Sequence, residues 1–430
     1  MGKMVGLYTG SAVVLQHADY LEAMREKVGL SHLIGFGEYK LSAQALAHNP
    51  MPPGQEAFAN SRGGDDDSPL RESLERAHGM GFKVWCCLGG WHGGAERDPE
   101  MAARDIHNQP FSQIPRLRYA IEQNCVAWCP SNEKINQWLR AILTDVMARY
   151  PFDGVDLTHF RYTAPAFLHN LFGCACPRCA EQAKRWGYDF EGMKRSLERF
   201  WDRLHHLVPG EVREVVRRGM GLPDLHQWLG LDSNLAAWFE FRARVLATNL
   251  KSFKASTCEA AGRDLVFGSD TFPPTFSLLV GHSYQDFIGW ADYTSPLLPH
   301  VEVFILSTFA TYGDLLCQWN QGLTEGDALR LLYRLFGYDQ VEHMPQTLAE
   351  FGISRSPECE LNCRALADIV ELELWRARLY NPGKIPSYPV IKGGPWTPAV
   401  VHRLIAAAER MGHEGIVFQQ TTALLDYPGI

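Results

Sequence analysis

Short apolar runs alternate along the whole chain with longer stretches of helical periodicity. Apolar runs of strand length, rich in β-branched and aromatic residues and bounded by Gly, Pro or Asp, read as strands buried on both faces. Eight such runs stand at residues 4–9, 32–39, 83–88, 154–160, 264–270, 290–297, 387–392 and 415–419. Amphipathic periodicity predicts helices over 70–80, 132–150 and 398–411. Glycines at 79, 81 and 412 stop the first and last of these. Strands alternating with helices predict an α/β fold with a parallel sheet. Eight such units predict a (β/α)8 TIM barrel, whose functional groups gather at the C-terminal ends of the strands. A doubly wound open sheet is the alternative, because strand count alone does not prove closure.

The spacing of the strands is uneven. Residues 180–263 are too many for one crossover helix and contain amphipathic stretches at 193–207 and 235–261. They read as helix four plus a helical insertion. Residues 299–386 read as a mostly helical segment between strands six and seven. Loop 49–69, rich in Pro, Gly and Asp, is expected to be exposed. No solenoid period appears, so residues 1–430 read as one barrel domain.

Composition narrows the function classes. A hydrophobic content of 46 % and a charged content of 21 % are those of an ordinary soluble protein. The net charge of −8 offers no basic stripe for nucleic acid and argues against an anionic membrane surface. No apolar run has the length of a membrane span. Residues 1–10 enter the first strand without a signal-peptide pattern, so a cytoplasmic location is expected. Homo-oligomerisation is left open. Aromatic residues at 11 % suit sugar platforms, but they equally fill a large core.

Eleven cysteines, an odd number without a disulfide rhythm, read as metal ligands before disulfides. Cys174, Cys176 and Cys179 lie within six residues, in Gly173-Cys174-Ala175-Cys176-Pro177-Arg178-Cys179. Cys129, in Cys129-Pro130-Ser131-Asn132, is a fourth candidate, and Cys125 is its rival. Four thiolates would close a tetrahedral zinc site and leave no open position, so the expected zinc is structural. Both cysteine groups fall in loops after neighbouring strands, three and four. Cys359 and Cys363 read as residues of one helix face.

The Cys129 run followed by the Cys174–Cys179 cluster resembles the zinc site of the family-42 β-galactosidases. More broadly the chain resembles barrel-type glycoside hydrolases. Those carry a strand-four motif Asp-Gly-apolar-x-apolar-Asp-x-x-Arg-aromatic, and here the residues are Asp153-Gly154-Val155-Asp156-Leu157-Thr158-His159-Phe160-Arg161-Tyr162. Thr158 replaces the second aspartate, and the carboxylate stands at Asp156. Gly268-Ser269-Asp270-Thr271-Phe272-Pro273 and Ala291-Asp292-Tyr293-Thr294-Ser295-Pro296 are also similar to that group. The resemblance implies a (β/α)8 fold and a carbohydrate substrate. It transfers no catalytic pair. The β-galactosidases use a Glu after strand four and another on strand seven, where this chain has Lys392.

Glycoside hydrolysis needs two carboxyl groups flanking the scissile bond. Strand alternation turns Val155 and Leu157 toward the helices and Asp156 and Thr158 inward. An inward aspartate is costly without a purpose or a partner, so Asp156 is the first candidate nucleophile or base. A salt bridge to Arg161 is the structural alternative. His159 is a candidate proton shuttle, and Arg161 a candidate grip on substrate oxygen. Glu38 and Asp270, each ending a strand, are candidates for the second carboxylate. Trp91 and His92, flanked by glycines after strand three, suit stacking on a sugar face. Asp292, Lys392, Trp396 and Gln419 complete the candidate substrate-binding set, with Asp292 at the start of strand six and so expected to lie deep. Two further readings remain: a carbohydrate-binding barrel without catalysis, suggested by Thr158 and the missing strand-seven Glu, and a lyase or isomerase using His159 and Lys392 on the same scaffold.

Overall fold

The computed structural model describes residues 3–51, 66–91, 101–124, 128–353 and 358–421. His92, Cys125, most of loop 49–69 and the side chain of Cys359 lie outside the described residues. The strands are β1 Met4–Thr9, β2 His32–Gly35, β3 Lys83–Gly89, β4 Gly154–Thr158, β5 Val266–Thr271, β6 Tyr293–Pro296, β7 Val390–Ile391 and β8 Gly415–Phe418. They form one parallel sheet in the order β6-β5-β4-β3-β2-β1-β8-β7. Parallel bridges Thr294–Ser387 and Leu297–Val390 join its two ends. There the Tyr388 amide donates to the Thr294 carbonyl at 2.8 Å, and the Thr294 amide to the Pro386 carbonyl at 3.0 Å. The sheet is therefore a (β/α)8 barrel and not an open, doubly wound one.

β2, β4, β6 and β7 are all shorter than the apolar runs suggest, and for β2, β4 and β7 the reason lies in the backbone. Gly35 (φ 145°) and Phe36 (φ 63°) turn the chain out of the ladder after β2. His159 (φ 59°) does the same after β4. Pro386 and Pro389 lack the amide hydrogen that would extend β7 backwards.

The helices form where periodicity and caps agree. Glu133–Arg149 starts at Asn132, whose side chain accepts from the Lys134 amide. Pro398–Arg410 starts at Thr397, which accepts from the Val400 amide. Between β4 and β5 lie the helices Pro177–Trp186, Phe190–His205, Pro209–Arg218, Leu222–Leu229 and Ser233–Ala261. The last is capped by Asp232 and packs along Glu133–Arg149. The helices Ser307–Trp319, Glu325–Phe336 and Leu366–Tyr380 are the longest elements of the segment between β6 and β7.

The lower barrel is filled by aromatic rings. Trp85 stacks on Tyr293 with centroids 4.6 Å apart, and Tyr388 tilts against Tyr293 at 5.6 Å. His32 meets Trp85 edge-on at 4.9 Å. These rings fit because the facing strand positions have no side chain. A Cβ on Gly154 would lie 2.8 Å from Trp85 Cδ1, and one on Gly268 would lie 2.5 Å from Tyr293 Cε1. Gly268→Ala is therefore expected to destabilise the fold by about 1–3 kcal/mol through overpacking. A lowered denaturant midpoint at unchanged slope would show it; an unchanged midpoint would mean that Tyr293 can yield.

Candidate active site

Strand pairing stacks two levels of polar groups above the aromatic floor. Cys87, Asp156, Gly268 and Tyr293 are successive register partners across β3 to β6. Val155 and Leu157 are buried against the helices, so Asp156 and Thr158 point inward. Asp156 is 0 % exposed. Its Oδ2 accepts from the Tyr8 hydroxyl at 2.8 Å and its Oδ1 from the Tyr293 hydroxyl at 2.8 Å. Its partners are these phenols, not Arg161. Burial pushes the Asp156 carboxyl up, and the two phenol bonds, with the Cys87 thiol, oppose that shift.

One level higher, at the C-terminal ends of β4 and β5, Thr158 Oγ1 donates to Asp270 Oδ2 at 2.6 Å. Asp270 is 5 % exposed. Burial first, and the Asp156 charge beneath it second, push its carboxyl up to about 7. The Thr158 bond and the Arg161 cation hold it from rising further.

Beside this pair the rim is built from the loops after β3 and β4. His159 Nδ1 lies 2.9 Å from Thr158 Oγ1. With the Thr158 proton given to ionised Asp270, Nδ1 carries the imidazole proton and Nε2 faces Glu122, 3.8 Å from its Oε1. Glu122 takes a two-point bond from Arg161 Nη2, with both oxygens at 2.9 Å. The Arg161 guanidinium also lies over Phe272 at 5.0 Å. His282 supports this corner from beneath. Its Nδ1 accepts from the Phe272 amide at 3.1 Å and its Nε2 donates to the Phe160 carbonyl at 3.1 Å. Burial lowers its pKa to about 3, which keeps it neutral.

The remaining candidates are scattered. Glu38 lies three residues beyond β2, exposed, and accepts from Ser11 Oγ at 3.1 Å. Lys392, just past β7, pairs with the buried Glu360 of the helix Glu358–Asn362 and lies 5.9 Å from the Trp396 ring centre. Trp396 is buried, and Gln419 is half-buried after β8. Trp91 is fully buried, with Nε1 donating to Asn136 Oδ1 at 2.8 Å and its ring against Phe160, so it offers no open face for stacking. Asp292 lies at the opposite end of the barrel. There it accepts from the Phe267 amide at 2.9 Å and pairs with Lys254 at 2.6 Å.

Sequence reasoning missed Tyr8, Tyr293, Glu122 and Glu360. Tyr8 and Tyr293 could have been found by carrying the inward parity of Asp156 around the barrel. Glu122 and Glu360 lie in connecting segments, where no periodicity marks direction.

The cysteine cluster sits beside the same rim. Cys129, Cys174, Cys176 and Cys179 are buried, and their Sγ atoms all lie within 4.8 Å of one another. Cys129 Sγ is 3.5 Å from both Cys176 and Cys179 Sγ, and those two are 3.8 Å apart. A tetrahedral ion with metal–sulfur bonds near 2.3 Å sets sulfurs about 3.8 Å apart. The donor set can therefore hold a metal ion. The Arg104 amide donates to Cys174 Sγ at 3.4 Å. The cluster joins the loop after β3 to the loop after β4, as the Glu122–Arg161 pair also does.

No protein-family model matches the sequence, and no curated protein matches it either. Solved structures do. The glycoside hydrolase domain of PgaB (BpsB) from Bordetella bronchiseptica superposes with a TM-score of 0.52 at 10 % identity, covering 100 % of this chain and 96 % of that one. The catalytic domain of a β-amylase from Paenibacillus polymyxa gives 0.44 at 10 % identity, covering 99 % and 94 %. The α-L-fucosidase isoenzyme 2 from Paenibacillus thiaminolyticus gives 0.45 at 11 % identity, covering 99 % and 47 %. The PgaB likeness establishes a shared fold. Among the described residues no helix is long and apolar enough to cross a membrane.

Proposed function

We propose that this protein is a glycoside hydrolase-like enzyme in which Asp270 is the catalytic acid/base. One observation carries the reading: a buried carboxyl at the C-terminal end of β5, raised to about 7, which holds a proton near neutral pH and can exchange it. Glu38, across the barrel and exposed, is the second carboxylate. Asp156 is too enclosed to meet a sugar carbon. Its role is to raise the proton affinity of Asp270 from below. Thr158 and His159 form a path for the proton between Asp270 and the rim. Arg161, Lys392 and Gln419 bind substrate oxygens. The (β/α)8 likeness to a glycoside hydrolase domain supports the carbohydrate class.

The cysteine cluster is proposed to hold a structural zinc ion, the role that the family-42 resemblance implies. The four sulfurs leave no position for substrate. The ion would fix the two loops that present Glu122, His159 and Arg161.

The test is a panel of aryl glycosides and natural oligosaccharides, assayed with wild type, Asp270→Asn and Glu38→Gln. Turnover by wild type that both variants lose supports the assignment. Turnover retained by Asp270→Asn would remove Asp270 from the chemistry. Tight glycan binding without turnover would favour the binding-only barrel, and a product of unchanged mass a lyase or isomerase.

Thr158→Val adds a prediction of direction. It removes the hydrogen bond that stabilises ionised Asp270. The proton should be held to higher pH, so the alkaline limb of kcat should move upward. A limb that stays in place would show that Asp270 is not the group titrating.

A further inference from the structure

Arg242 is a buried cation whose hydrogen bonds bring it no opposite charge. It lies inside the long helix Ser233–Ala261 and is 0 % exposed. Nη1 donates to the Leu279 carbonyl at 3.0 Å, and Nη2 to the carbonyl and side-chain oxygens of Asn170 at 3.1 and 2.9 Å. Its guanidinium lies 4.2 Å from the centre of the Tyr162 ring. Among the described residues no carboxylate pairs with it. A desolvated charge costs several kcal/mol unless a counter-charge offsets it.

The cysteine cluster can supply that charge. Asn170, which takes two of the Arg242 bonds, also accepts from the Gly173 amide at 3.1 Å, directly before Cys174. Burial lowers the Arg242 pKa to about 10, and negative charge on Tyr162, Cys174 or Cys179 would oppose that shift. Four neutral thiols would offer Arg242 nothing. Four thiolates around a divalent ion carry a net charge of −2 (four negative charges and two positive), which is the complement that a buried cation needs.

We infer that Arg242 is the buried counter-ion of a tetrathiolate metal site at Cys129, Cys174, Cys176 and Cys179, and that it sets how tightly the divalent ion is held. The inference rests on the metal reading above. Arg242 is a positioning and charge-balancing residue; it does not ligate.

The experiment compares wild type with Arg242→Met, Arg242→Lys and Asn170→Asp. It reads zinc per chain, zinc affinity by chelator competition, and the intensity of the cobalt(II)–thiolate absorption. Asn170→Asp is nearly isosteric and hands Arg242 a carboxylate partner, so it tests the charge even if Arg242→Met fails to fold. Wild type is expected to hold one zinc ion. Arg242→Met and Asn170→Asp should bind it about tenfold or more weakly. Arg242→Lys should recover most of the affinity. Wild-type affinity in folded Asn170→Asp would overturn the inference while leaving the metal site standing. So would an Arg242→Lys chain that is folded but as weak as Arg242→Met, because the role would then be packing. Wild type that binds no zinc would overturn the metal reading itself, and this inference with it.

Discussion

Asp270→Asn is expected to lower kcat by about 10²–10⁴-fold with a much smaller change in KM, because proton transfer is lost while the barrel mouth keeps its shape. Wild-type kcat should fall as pH rises through about 7, where the acid form of Asp270 is lost. Asp156→Asn should leave turnover measurable and move that limb to lower pH. It removes the charge that raises Asp270 but leaves the burial that raises it more. In Asp270→Asn, stability at alkaline pH should change in the opposite sense to activity. A carboxyl raised from 3.8 to about 7 in the folded protein favours the fold while protonated. That contribution is complete below the unfolded value and is lost as pH climbs toward the folded one. Above pH 7 the ionised, buried Asp270 therefore burdens the fold, by roughly 2–4 kcal/mol. Asp270→Asn should melt higher than wild type at pH 8 and close to it at pH 4. Melting curves at the two pH values decide this. An Asn variant that melts no higher at pH 8 would show that Asp270 carries no such burden.

Cys176→Ser should have the larger effect on the fold. Four-ligand zinc sites show apparent binding free energies of about 10–16 kcal/mol in small peptides, and binding that exists only in the folded state is folding free energy. The variant should lose stoichiometric zinc and melt well below wild type, and a strong chelator should lower the wild-type melting temperature toward the variant's. Activity should fall with it, because the loops joined by the cluster are those that present Glu122 and Arg161 to each other. A variant that keeps its zinc or its melting temperature would mean that these thiols are ordinary core residues.

The barrel was legible because its signal is local. Each strand announces itself by a short apolar run, and the closing helices by period and cap. What failed at β2 and β4 was the strand end. Phe36 and His159 adopt left-handed backbone that no residue-type pattern marks. The cysteine group was legible from spacing alone, and its four sulfurs do converge. The candidate carboxylates were legible only by residue type. Asp156 points inward as alternation requires, yet depth along the barrel axis is a matter of register between strands. That register places Asp156 beside Gly268 and puts Asp270 one level nearer the mouth. Trp91 shows the same limit, since a glycine-flanked tryptophan suits a rim platform and a buried wedge equally.

The pairing of Thr158 with Asp270 has a kinetic meaning. The two residues are 112 positions apart, with five helices between them. Closing so long a loop adds little to the equilibrium cost, since each doubling of length costs only about 0.6 kcal/mol. It does delay the contact, because pairings distant in sequence form late. The helices of the insertion and the strands from β1 to β4 can assemble from near neighbours, whereas β4 must wait for β5. The proposed acid therefore gains its neighbour, its burial and its raised proton affinity together, in a late step of folding.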